Sequence, residues 1–149
     1  MITQTTEYAL RAVVFLAMSD GQAHTTAQIA EGTRVPSAYL SKVLQSLNKA
    51  GLVSSQRGLG GGFTLAVDPS TVSILEIVEI VDPITRIRSC PHGLPEHRGA
   101  LCSLHKCLDE AMALVEGTLS NSSIKELIDA PARVGLCTVK KKRRKARAR

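Results

Sequence analysis

At 149 residues the chain is long enough for one domain, or for one domain with a short appended element. Its 44% apolar content supplies a core poor in aromatics (no Trp, two Phe, two Tyr), and no apolar run is long enough to argue for a membrane span. The formal charge of +6 invites a nucleic-acid reading, but residues 140–149, KKKRRKARAR, hold eight of the nineteen Lys and Arg, and without them eleven basic residues face thirteen acidic ones. Placement says more than the total. Within residues 1–62 there are five basic residues (Arg11, Arg34, Lys42, Lys49, Arg57) against three acidic ones (Glu7, Asp20, Glu31), so the amino-terminal part is mildly basic and the rest of the body acidic.

Residues 5–18, TTEYALRAVVFLAM, have helical periodicity. Tyr8, Ala12, Phe15 and Leu16 share one side and Ala9 and Val13 widen it, the pattern of a helix buried between others. Thr25 with Gln28 forms a capping-box signature for a second helix, which Gly32 is expected to end. Pro36 and Ser37 open a third, whose buried stripe is Leu40, Val43, Leu44, Leu47 and Ala50, with Gly51 at the left-handed cap. Its opposite face is small, hydroxylated and basic: Ser37, Ser41, Lys42, Gln45 and Lys49. Two short helices joined in this way predict a helix-turn-helix, in which the second helix enters the major groove of DNA. Leu52–Ser55 and Phe63–Val67 read as two strands, joined by Gln56-Arg57-Gly58-Leu59-Gly60-Gly61-Gly62. Arg57 on a glycine-rich tip is suited to a minor groove or to phosphate, and the hairpin completes a winged helix-turn-helix. A nucleotide-binding loop fails on spacing, because Phe63 stands where the last glycine of G-x-G-x-x-G belongs and no Gly-Lys-Ser/Thr occurs.

Ser73 with Glu76 is another capping box, opening SILEIVEIVD with the stripe Ile74, Ile77, Val78 and Val81; Asp82-Pro83 ends it. Residues 84–101 lose all periodicity and form a loop of the length at which function is expected. Cys90, Cys102 and Cys107 stand as C-x11-C-x4-C, with His92, His97 and His105 between them. Thiolates are soft ligands that suit iron–sulfur clusters, zinc or copper(I), and a loop beside a helix start lets them converge. His105 or His92 can replace a cysteine, giving a mixed Cys/His site that would also suit zinc. The next helix has a regular stripe of Leu104, Leu108, Ala111, Met112, Val115 and Leu119, read either as a dimer interface or as burial within one subunit. Ser123 with Glu126 caps a last short helix, ended by Ala130-Pro131. Cys137 reads as a bystander.

TEYALRAVVFLA near the start and SAYLSKVLQSLNKAGLVSSQRGLGGGF resemble the IscR/NsrR family of winged-helix transcription regulators. The match runs on through SILEIVEIVDP and the cysteine loop to SSIKELI, about the first 130 residues, and R-G-x-G-G-G-[FY] is its most diagnostic piece. The resemblance implies a mainly α fold with a small β-hairpin wing, a long carboxy-terminal dimerisation helix, and a homodimer on a double-stranded DNA operator, acting as a repressor. The residues themselves divide the chain into 1–83 (winged helix-turn-helix), 84–131 (cysteine loop and dimerisation helix) and 132–149, a basic tail expected to lack fixed structure. The residues assigned to DNA are Thr26, Ser37, Tyr39, Ser41, Lys42, Arg57, Gly58 and Gly60. Relatives often carry a base-reading acidic residue where Ser41 stands here, so a different operator is expected. Some members hold an iron–sulfur cluster and others none. Carried over by position, the ligands are Cys90, Cys102 and Cys107, with Glu7 of the partner subunit or His105 as the fourth. The uneven spacing departs from that of cluster-binding members, which keeps zinc, or no metal, open as alternatives. With four cysteines and no signal peptide, a cytoplasmic regulator without enzymatic activity is expected; the competing reading is a metal-binding redox protein or enzyme built on the Cys/His loop.

Overall fold

The structure, a computed structural model, describes residues 2–91 and 99–130. Helix α1 (Gln4–Ala17) starts on Thr3, whose hydroxyl accepts from the Thr6 amide. It buries Ala9, Ala12, Val13, Val14, Phe15 and Leu16, and packs against the second, third, fourth and sixth helices and the second strand. Burial on several sides is what its broad apolar pattern predicts, and each fully buried large side chain contributes about 1.5–3 kcal/mol.

Helix α2 (Thr26–Thr33) opens on a complete capping box: the Gln28 amide donates to the Thr25 hydroxyl, and the Thr25 amide donates to Gln28 Oε1 at 2.9 Å. It does not stop at Gly32 as expected. It runs to Thr33, and the left-handed residue is Arg34, at φ +56°. Gly32 has a different task, since a Cβ there would lie 2.2 Å from a ring carbon of Phe15. The missing side chain lets α2 seat on α1.

Helix α3 (Ser37–Lys49) follows Pro36 and buries Leu40, Val43, Leu44 and Leu47. Ala50, expected at the end of that stripe, is instead the exposed cap residue. Gly51 takes φ +80°, and the Leu52 amide donates to Leu47 O while the Gly51 amide donates to Asn48 O. This is a Schellman ending, which requires the left-handed residue where the glycine stands.

Strands β1 (Val53–Gln56) and β2 (Gly62–Leu65) pair antiparallel, Val53 opposite Leu65 and Gln56 opposite Gly62; β1 is shifted by one residue from its expected limits, and β2 starts one residue early and ends two short. A bridge between His24 and Phe63, with amide-to-carbonyl distances of 3.0 and 2.8 Å, ties this hairpin to the segment entering α2. Helix α4 (Ile74–Val81) has the expected Ser73–Glu76 capping box and buries Ile74, Ile77 and Val78, leaving Val81 half-buried. Helix α5 (Ser103–Ser120) buries only His105. Helix α6 (Ile124–Asp129), capped by Ser123 and Glu126, sends Ile124 into the same core as α1 and α4, and a Ser73–Ser123 bridge fixes it there. The basic tail, Cys137, His92 and His97 lie outside the described residues.

Candidate nucleic-acid interface and thiol–imidazole cluster

With one side of α3 committed to the core, Ser37, Tyr39, Ser41, Lys42 and Gln45 are left on the exposed side. Ser41 donates to the Ser37 carbonyl at 3.0 Å, so its hydroxyl is partly engaged by its own helix. Tyr39 is 58% exposed and meets Tyr8 edge-on, with ring centroids 6.1 Å apart. Thr26, the first residue of α2, is half-buried. Among the described residues, Arg34, Lys42, Lys49 and Arg57 enter no ion pair, which leaves these cations available for phosphate.

The wing places Arg57, Gly58, Leu59 and Gly60 in solvent. Gly58 and Gly60 have φ of +103° and +83°. Gly62 is required for a second reason: a Cβ there would lie 2.5 Å from the His24 carbonyl, against the bridge that holds the wing to the body. The R-G-x-G-G-G run therefore shapes a tight tip and docks it closely.

The second cluster gathers at the start of α5. Cys102 is the helix N-cap but makes no side-chain cap hydrogen bond, so its thiol is turned to other partners. His105 Nδ1 lies 3.1 Å from Cys102 Sγ and 3.6 Å from Cys90 Sγ. The three potential ligand atoms all lie within 4.8 Å of one another. Both thiols are half-buried and His105 is buried. Cys107 is exposed and outside this trio; two residues beyond His105, it is rotated about 200° around the helix. Glu7 is on α1, in an ion pair with Arg11 one helical turn on.

Cys90 is positioned by a polar strap that spacing did not reveal. The Ile84 amide donates to Glu79 at 3.0 Å. Arg86 donates to both carboxylate oxygens of Asp109, at 2.7 and 2.6 Å, and to Glu116 at 2.9 Å, while the Ile87 amide donates to Asp109 at 2.9 Å. The Arg86 hydrogen bonds, with help from that amide, hold the Asp109 carboxyl down to about 2, and the same contacts push the Arg86 guanidinium up. The partners are 23 and 30 residues apart in the chain, so no local pattern could pair them. The other unforeseen contact, His24 with Phe63, likewise left no sequence signal.

A helix pair with an exposed polar second helix, next to a glycine-tipped hairpin, defines a winged helix-turn-helix transcription regulator. Residues 2–130 match the model of the Rrf2 family, described as an iron-dependent transcriptional regulator, and the chain belongs to that family. It is 30% identical over 130 residues to the HTH-type transcriptional regulator NsrR of Bacillus subtilis (strain 168), covering 85% of this chain and 89% of that relative. Its fold is that of CymR, the global cysteine regulator of B. subtilis (TM-score 0.69, 23% identity, 85% of this chain and 95% of the other). It is also that of T. potens IscR (TM-score 0.70, 21% identity, 91% and 93%). The family resemblance carried by the wing and first helix thus holds, and the enzyme reading of the cysteine loop gives way to a transcription regulator. Among the described residues no helix is long and apolar enough to cross a membrane.

Proposed function

We propose that two copies of the chain bind a duplex operator as a repressor, each reading it with α3 and the wing, and that a metal or iron–sulfur centre on Cys90, Cys102 and His105 sets their affinity. The observation that carries this reading is the convergence of two thiols and an imidazole within 4.8 Å. Metal–ligand lengths of about 2.0–2.3 Å imply donor-to-donor edges of roughly 3.5–3.8 Å in a tetrahedral site, close to the sulfur–nitrogen distances of 3.1 and 3.6 Å. The donor set fits an iron–sulfur cluster with mixed ligation, and it fits zinc equally well. Three donors leave one position open, where a small diatomic or an oxidant could enter; when bound, the centre would supply that reactivity. In this reading His105, a possible fourth ligand in the sequence, joins Cys90 and Cys102, while Cys107, the third cysteine of the set that the resemblance implies, lies outside the trio.

Ser37, Tyr39, Ser41 and Lys42 would face base edges and phosphates, with Thr26 at the backbone and Arg57, Gly58 and Gly60 at the adjacent groove. Leu104, Leu108, Leu114 and Val115, all exposed on α5, support pairing with a second copy. The strap links the two ends of the molecule. With Cys90 held at the trio, Arg86 and Ile87 are kept on α5, and Ile84 on α4, which packs against α3.

The test is anaerobic purification of the wild type and Cys102→Ala with a visible spectrum and iron, sulfide and zinc analysis. Bound iron with sulfide, or stoichiometric zinc, lost in the variant, is expected. Metal-free wild type would sink the centre. DNA binding titrated against salt should lose about one unit of slope on Arg57→Ala if that side chain meets a phosphate.

A further inference from the structure

We propose that Cys90 and Cys102 form a peroxide-driven intramolecular disulfide, so that the trio is a covalent redox switch as well as a metal site. The proposal rests on reading this trio as the sensing centre, and it concerns the chain when its sulfurs carry no metal. The two Sγ atoms lie within 4.8 Å of each other, and a disulfide needs about 2.05 Å. Side-chain rotation with a small shift of Cys90 closes that gap, because Cys90 ends an irregular strap while Cys102 is fixed at the cap of α5. Both cysteines are half-buried residues rather than core ones. Cys107, exposed on another side of the helix, stays outside the pair.

The chemistry balances with one hydroperoxide. Cys102, fixed at the cap of α5, attacks peroxide; the O–O bond breaks, an S–O bond forms, and the departing hydroxide leaves as water with the Cys102 thiol proton. Cys90 then attacks the Cys102 sulfur; the S–S bond forms, the S–O bond breaks, and the second hydroxide leaves as water with the Cys90 proton. Two thiols are oxidised, one peroxide is reduced, and two waters are released. The new bond would fasten Cys90 to the first turn of α5, a few residues from where Arg86 and Ile87 already grip Asp109. The strap would then be tied to one helix at two points.

The experiment uses the full chain, stripped with a chelator, reduced, and exposed to stoichiometric hydrogen peroxide before alkylation with iodoacetamide and peptide mapping under non-reducing conditions. Two of the four cysteines should escape alkylation, in a peptide pair joining Cys90 to Cys102, and dithiothreitol should restore all four. Cys107→Ser should behave as the wild type, and Cys90→Ser should yield no intramolecular bridge. A bridge to Cys107 or Cys137, a bridge between chains, or separate sulfinic acids would overturn the proposal. Because the readout is mass on metal-free protein, its failure leaves the metal analysis standing, and an empty metal analysis does not alter the expected bridge.

Discussion

Helix α3 has thirteen residues and buries Leu40, Val43, Leu44 and Leu47, whereas α5 has eighteen and buries only His105. The shorter helix is complete within one chain: its apolar stripe meets α1 and its polar side is left for a partner of another chemistry. The longer helix packs on α4 and sets Leu119 against the core, and Arg86 ties the strap to it at Asp109 and Glu116, while Leu104, Leu108, Leu114 and Val115 stay in solvent. A core built by apolar burial resists single changes in its surroundings. A region fixed by a few ionic contacts can be rearranged by one change of ligand or proton. The division suits a regulator, with a rigid reading head and a responsive segment.

Leu44→Ala should therefore have the largest effect on folding, about 3 kcal/mol, since Leu44 is fully buried and the cavity would open between α3 and α1. Chemical denaturation followed by far-ultraviolet circular dichroism measures it, and a loss below about 1 kcal/mol would mean that the head is less tightly packed than its burial shows. Leu108→Ala, at a residue 44% exposed, should cost the single chain about 1 kcal/mol or less but weaken self-association about tenfold. Sedimentation across a concentration series separates the two. Unchanged association would assign the α5 face to something other than a second copy.

Acid acts on the other region. Asp109 titrates near 2 in the folded chain, against about 3.9 when unfolded, so its tie to Arg86 is fully present above roughly pH 4 and is lost as the pH falls toward 2. The Arg86 Nε–H and Ile87 amide resonances should shift together with a midpoint near 2, and Asp109→Asn should abolish that transition. A midpoint near 4 would show that the clamp is not formed in solution.

The head was legible because its signals are local. Thr25 with Gln28, Ser73 with Glu76 and Ser123 with Glu126 are three residues apart, and all three boxes form as read. The i, i+3, i+4 stripe of α3 is equally local. Errors arose where a residue had two possible uses: Gly32 read as a terminator, but Phe15 needs its bare Cα, and the left-handed turn falls on Arg34. The strap was illegible because Arg86 meets Asp109 and Glu116 across a long loop, where no period links them. The spacing C-x11-C-x4-C likewise does not say which of these side chains meet: His105, one helical turn after Cys102, joins Cys102 and Cys90, while Cys107 lies outside that trio.

The smallest expected effect decides a residue with two readings. Glu7 lies in the first turn of α1, 52% exposed, paired with Arg11, which also donates to the Thr33 carbonyl at 3.3 Å. If that local pair is all Glu7 does, Glu7→Gln removes an i,i+4 interaction worth about 0.3–0.5 kcal/mol, and bound metal is unaffected. If Glu7 instead supplies the open position of the partner subunit's trio, metal content should fall sharply while stability barely moves. The ion pair with Arg11 favours the first outcome, because a carboxylate acting as ligand would have to leave it. Metal analysis of Glu7→Gln beside His105→Ala tests this: retention in the first and loss in the second would place the centre within a single chain.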